Sequence, residues 1–170
     1  EGKTDPGEGP KRSKQPAPLD LSALSAPSLT PLRKQVVRAL ATECQTALAN
    51  PTKLAALRKR LGLPSSMDHE VVRNAELLDA PAYAAYKVYT GVLFAAADFG
   101  SLTAAERRTA NSRVRIASAL FGLVSLADKI PPYRLNADAQ LASLDSPKTA
   151  IKKTATMKTA TMKTAWRKEL

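Results

Sequence analysis

Cations are the side chains here whose types and spacing could do chemistry. Lys53, Arg58, Lys59 and Arg60 crowd one stretch directly before Leu61-Gly62-Leu63-Pro64, and Arg73 follows on the next apolar-periodic segment. A helix, an apolar-Gly-apolar turn and a second helix outline a helix-hairpin-helix-like element. In such an element, backbone N–H groups at the turn hold a phosphate and nearby cations add charge. A plain helical hairpin with a solvated basic face is the competing reading, since only one glycine is present and Ser65-Ser66-Met67 lengthens the turn. Arg107, Arg108, Arg113 and Arg115 form a second cluster. On a strand, Arg113 and Arg115 share one face, opposite Val114 and Ile116. Lys53, Arg58, Lys59, Arg60, Arg73, Arg113 and Arg115 are therefore the candidate surface for duplex DNA, bound through phosphates without sequence readout.

A second group suits a small anion. Pro131-Pro132 sets an extended approach to Tyr133-Arg134, and an arginine there can fork onto a phosphate or carboxylate. An internal pair with Asp128 is an equal alternative. Tyr89-Thr90-Gly91 offers two hydroxyls beside a residue that permits close backbone approach, which serves a ligand or a tight helix contact. Lys3-Thr4 in E-G-K-T has the look of the end of a phosphate loop. Asp5-Pro6-Gly7 follows, however, and forbids the helix that a Walker loop requires.

Other chemistries find little footing. The one histidine, His69, is flanked by Asp68 and Glu70, which on a helix diverge by about 100° to either side and do not converge on a metal. The one cysteine, Cys44, falls in a helical pattern and reads as a small buried apolar residue rather than a redox thiol. No G-x-S-x-G elbow is present, and nothing argues for an enzyme, a cofactor or a metal.

The elements that must position these residues follow from periodicity and caps. Residues 1–31 are rich in Pro, Gly, Ser and charge and read as loop, with one edge segment near Leu19–Leu24. A helix capped by Ser28 carries Leu32, Val36, Val37, Leu40 and Ala41 on one stripe. Asn50-Pro51 starts a second helix, Leu54 to Leu61, stopped by Gly62. A third covers His69 to Leu78. Residues 80–98 read as a buried helix around Tyr83–Tyr86 running past Gly91, and Thr103 caps Ala104–Asn111. Residues 113–119 alternate as a strand does, 121–130 read as a short helix ended by Pro131-Pro132, and 133–135 as a second extended piece. Strand, turn and helix in that order predict a mixed α+β fold rather than a helix bundle.

The net charge of +11 is unevenly spread: residues 148–170 carry seven basic side chains and one acidic. Much of that tail is a five-residue repeat built on K-T-A-T-M, read as a low-complexity linker or as a basic arm that neutralises phosphates. No apolar run approaches the roughly 18 residues of a membrane span. The start is polar, unlike a signal peptide. A disulfide-free chain of this kind is expected in the cytoplasm. It opens on Glu1, so a few preceding residues are expected to be missing.

Val88-Tyr89-Thr90-Gly91, then Gly122, Asp128 and Pro132-Tyr133-Arg134-Leu135, stand in an order that resembles the bacterial peroxide stress protein YaaA family. Lys3-Thr4 matches the family's S-x-x-K-T, and Trp166 resembles its next Trp-containing block, displaced by the repeat. The resemblance implies a domain over 1–145, the repeat over 146–165 and a remnant of the following block over 166–170. It further implies a non-enzymatic cytoplasmic protein that limits free iron under peroxide stress. The fold would be α/β, with a positively charged cleft, a helix-hairpin-helix-like element and DNA binding. Ser125-Leu126 stand where the family has Arg-Pro, and Ala137-Asp138 where it has Met-Gly. The family's C-terminal part does not follow Leu170, so an incomplete YaaA-type fold is expected. The alternatives are a protein or enzyme acting on an anionic metabolite at Tyr89, Thr90, Tyr133 and Arg134, or a non-functional fragment.

Overall fold

A computed structural model describes residue 3, residues 16–144, residues 161–167 and residue 169. Three helices build one side. Helix α1 (Thr30–Leu48) has Pro31 in its first turn and buries Val36, Val37, Leu40, Cys44 and Ala47. Ser28 does not cap it. A 3-10 turn, Pro27–Leu29, runs straight into α1, so the preceding backbone is already helical and lacks the extended geometry a cap needs. Helix α2 (Pro51–Leu61) starts on Asn50, whose side-chain oxygen accepts from Thr52 N and Lys53 N, and ends on Gly62 at φ 66°. Helix α3 (Asp68–Ala75) is shorter than its apolar pattern, with residues 76–79 continuing as turns. Both α2 and α3 pack on α1.

The second side is made of short pieces in two antiparallel two-stranded sheets. Strand β1 (Tyr83–Ala84) leads into the one-turn α4 (Ala85–Val88). After Gly91 comes α5 (Val92–Ala97), and then α6 (Ala104–Arg113). Strand β2 (Ile116–Ser118) pairs with β3 (Gly122–Val124), and β4 (Lys129–Ile130) pairs back with β1. The mixed α+β class predicted from sequence is therefore the class observed.

Three further local expectations change. The single helix over 80–98 is broken, because its backbone donors find tertiary acceptors: Ala82 N bonds Ala17 O, Ala85 N bonds Asp128 O, and Tyr86 N bonds Leu126 O. The helix over 121–130 is replaced by β3, a turn and β4. The strand expected from residue 113 begins at Ile116, since α6 runs on through Arg113. Helix α6 is held by a full capping box between Thr103 and Glu106.

The core joins both sides: Val37, Leu40 and Leu57 share it with Leu120, Phe121, Leu126 and Ile130. The end of the repeat and the residues after it belong to it as well. Helix α7 (Met162–Arg167) buries Met162 and Trp166, while Met162 N and Lys163 N bond Ala139 O and Ala137 O. Most of the repeat, 146–160, lies outside the described residues. Among the described residues, no helix is long and apolar enough to cross a membrane.

Candidate functional site

Segments far apart in the chain bring Lys3, Tyr89, Ser118 and Tyr133 together. Tyr89 follows α4 in extended conformation and forms an antiparallel bridge with Lys3. The Tyr89 and Tyr133 hydroxyls are 2.8 Å apart, and the Tyr133 hydroxyl is 2.8 Å from Ser118 Oγ. Ser118 is fixed in turn by Phe121 N, which donates to its Oγ at 3.0 Å. The ammonium of Lys3 stands 4.5 Å from the Tyr133 ring centroid and 5.3 Å from that of Tyr89, a cation–π geometry. Burial, and then the neighbouring Tyr89, hold the Tyr133 phenol well above its usual range. The Tyr133 phenol is thus held neutral at neutral pH, between two hydroxyls and beneath the Lys3 ammonium. Thr4, its expected companion, lies outside the described residues.

Thr90 and Tyr89 both line an open groove of about 590 Å³, together with Tyr86, Phe94 and Phe99. Phe94 stacks on Tyr89 with ring centroids 5.3 Å apart, and Phe99 meets Phe94 edge-on at 6.1 Å. Arg134 is not among the residues lining this groove. Its main chain is clasped on the α3 side by Asn74, which donates to Arg134 O at 2.7 Å and accepts from Arg134 N at 2.9 Å. Of the expected foursome, Tyr89 links the two places, contacting Tyr133 and lining the groove with Thr90, whereas Arg134 does not line it. Nor does Asp128 pair with Arg134. Its carboxylate accepts from Ser25 N, Ser25 Oγ and Ser125 N.

The cation clusters also divide. Arg58 pairs with Asp68 at 3.0 Å, Arg60 with Glu43 at 2.6 Å and Arg73 with Glu70 at 2.8 Å, whereas Lys53 and Lys59 are exposed. At the turn, Gly62 N and Leu63 N bond back to Lys59 O and Arg58 O, so these amides are engaged in closing α2. Arg113 is the last residue of α6 and Arg115 precedes β2, so the two do not share a strand face; both are exposed. His69 is exposed, and among the described residues no group of three His, Cys, Asp or Glu could hold a metal.

The profile of the family described as peroxide stress protein YaaA matches residues 12–169. The chain belongs to the peroxide stress protein YaaA family. A UPF0246 protein of Streptomyces coelicolor is 40% identical over 139 residues, covering 82% of this chain and 51% of that protein. One of Corynebacterium efficiens is 35% identical over 147 residues, covering 84% of this chain and 55% of the relative. This YaaA-family chain thus spans about half the length of the curated relatives it matches.

Two supporting residues of this YaaA-family chain escaped sequence reasoning. Arg33 is fully buried, and its guanidinium donates from Nε to Phe121 O, from Nη2 to Leu123 O and from Nη1 to Ala26 O. Burial lowers its pKa, and the charge of Asp128 opposes that shift. Asn74 likewise is fully buried. The available signal was register: Arg33 precedes Val36 and Val37 on the α1 stripe, and Asn74 follows Val71 on that of α3. A polar residue on a buried stripe must have a partner.

Proposed function

We propose that the protein serves peroxide defence by binding rather than by catalysis, lowering free iron and contacting duplex DNA non-specifically. The observation that carries this reading is the state of Cys44, the only cysteine in the chain. It is wholly buried, and burial, reinforced by the charge of Glu43, pushes its thiol up to about 12. A thiol that reduces peroxide must be an accessible thiolate, and this one is neither. Protection would therefore act upstream of peroxide, on the iron that turns it into damage. Its seat on the DNA side would be the exposed cations Lys53, Lys59, Arg113 and Arg115, with Arg58, Arg60 and Arg73 tied into ion pairs.

Two measurements test the reading. In cells lacking their own family member, Cys44→Ala should protect against peroxide and lower chelatable iron as well as the wild type does. Loss of protection with the fold intact would point to thiol chemistry instead. For DNA, anisotropy of a labelled duplex should show log affinity falling with log salt, with a slope that shrinks by about 0.9 for each phosphate no longer neutralised. Lys53→Ala with Lys59→Ala, and Arg113→Ala with Arg115→Ala, should each reduce it. A Gln replacement of Lys148, Lys152, Lys153 and Lys158 separates the repeat from the domain while sparing the docked residues from Thr161 onward. If only that variant changes the slope, the folded domain does not hold the duplex.

A further inference from the structure

We propose that the groove beside Thr90 binds a small aromatic anion: a flat ring carrying a phosphate, with a nucleoside monophosphate as its simplest representative. Two cations, Lys87 and Arg107, line it beside the Tyr86 ring. The Arg107 guanidinium carbon lies 5.0 Å from the Tyr86 ring centroid, and Lys87 Nζ lies 5.9 Å from the same centroid. Neither forms an ion pair among the described residues, although Asp98 lines the same groove. Both line the groove, so an anion bound there would gain from two positive charges.

Arg107 is also preorganised. Its Nη2 donates to Gly100 O at 3.1 Å and to Leu102 O at 2.8 Å, so the fork is oriented before a ligand arrives. The rest of the lining suits a ring. Phe94 and Phe99 offer half-buried faces, and the Thr90 hydroxyl and Asp98 carboxylate can meet hydroxyl or amino groups of the ligand. A volume of about 590 Å³ lies within the usual range for small-molecule sites. The groove uses none of the cations assigned above to duplex DNA.

Titration calorimetry on the full chain with adenosine 5′-monophosphate, inorganic phosphate and adenosine tests the assignment. The monophosphate should bind at least tenfold more tightly than either half. Lys87→Glu should weaken it at least tenfold without moving the melting temperature, since Lys87 is exposed. Arg107→Lys, which keeps the charge and loses the fork, should weaken it as well, and Lys53→Ala with Lys59→Ala should leave it unchanged. Absence of binding at millimolar monophosphate, equal binding of inorganic phosphate, or indifference to Lys87→Glu would each overturn the proposal. Loss of binding in the Lys53 and Lys59 variant would also overturn it, by making the groove part of the duplex surface. Duplex affinity is measured separately, so either reading can fail alone.

Discussion

At Gly122 the backbone takes φ 74°, and an added Cβ would stand 2.6 Å from Cε3 of Trp166, well inside contact distance. Gly122→Ala therefore meets both a backbone penalty and a ring that cannot retreat, because Trp166 Nε1 is held by Ala119 O at 2.9 Å. The expected cost is about 2 kcal/mol or more in urea unfolding. Pairing it with Trp166→Ala should recover the steric part and leave the φ penalty. Arg33→Met strips the donors from three carbonyls and should cost about 3 kcal/mol or more. Arg33→Lys should recover only part of that, since an ammonium cannot reproduce the fork. Cys44 makes a prediction in pH. Its folded thiol ionises near 12 and its unfolded thiol near 9.0, so above pH 9 the unfolded chain binds fewer protons and stability falls. Cys44→Ala should flatten that alkaline loss when unfolding midpoints are compared between about pH 8 and about pH 10.5. An identical loss in both proteins would assign it to other groups, Tyr133 among them.

Elements whose ends carry their own chemistry were legible. Asn50-Pro51 and Gly62 bracket α2 as their side chains and torsions dictate, and Thr103 caps α6. Asn50→Ala and Thr103→Ala should each cost about 1 kcal/mol, read as a melting shift of about 2–4 °C. Elements whose hydrogen bonds go to distant partners were not legible. In residues 121–130, Phe121 and Val124 sit at helical spacing. A helix there would bond the carbonyls of Phe121 and Leu123 to the amides of Ser125 and Ala127. Arg33 takes both carbonyls, Asp128 takes Ser125 N, and Asn111 Oδ1 takes Ala127 N at 2.8 Å. The strand pattern then emerges, with Gly122 and Val124 buried. Helix α5 misled in another way. Its apolar run suggested burial, yet Val92 is 90% and Leu93 70% exposed, because no element among the described residues packs over that face.

For the whole molecule, α7 is the piece that closes the fold across the repeat. Its Trp166 covers Gly122, its Met162 enters the core, and Lys163 pairs with Asp138 at 2.8 Å. Trp166→Ala should cost about 3–5 kcal/mol, with the loss seen in the cooperative melt of the whole domain rather than in a separate phase. A small loss confined to the tail would mean that α7 docks without supporting the core. The sequence by itself determined the family, through V-Y-T-G and P-Y-R-L. It also determined the α+β class and the helices that start and stop on local side chains, since those signals act within a few residues. Tertiary structure alone decided that Lys3, Tyr89, Ser118 and Tyr133 meet, that Asn74 clasps the Arg134 main chain, and that Arg58, Arg60 and Arg73 are tied into ion pairs. Those outcomes depend on which distant donor reaches which acceptor, and spacing along the chain carries no record of that.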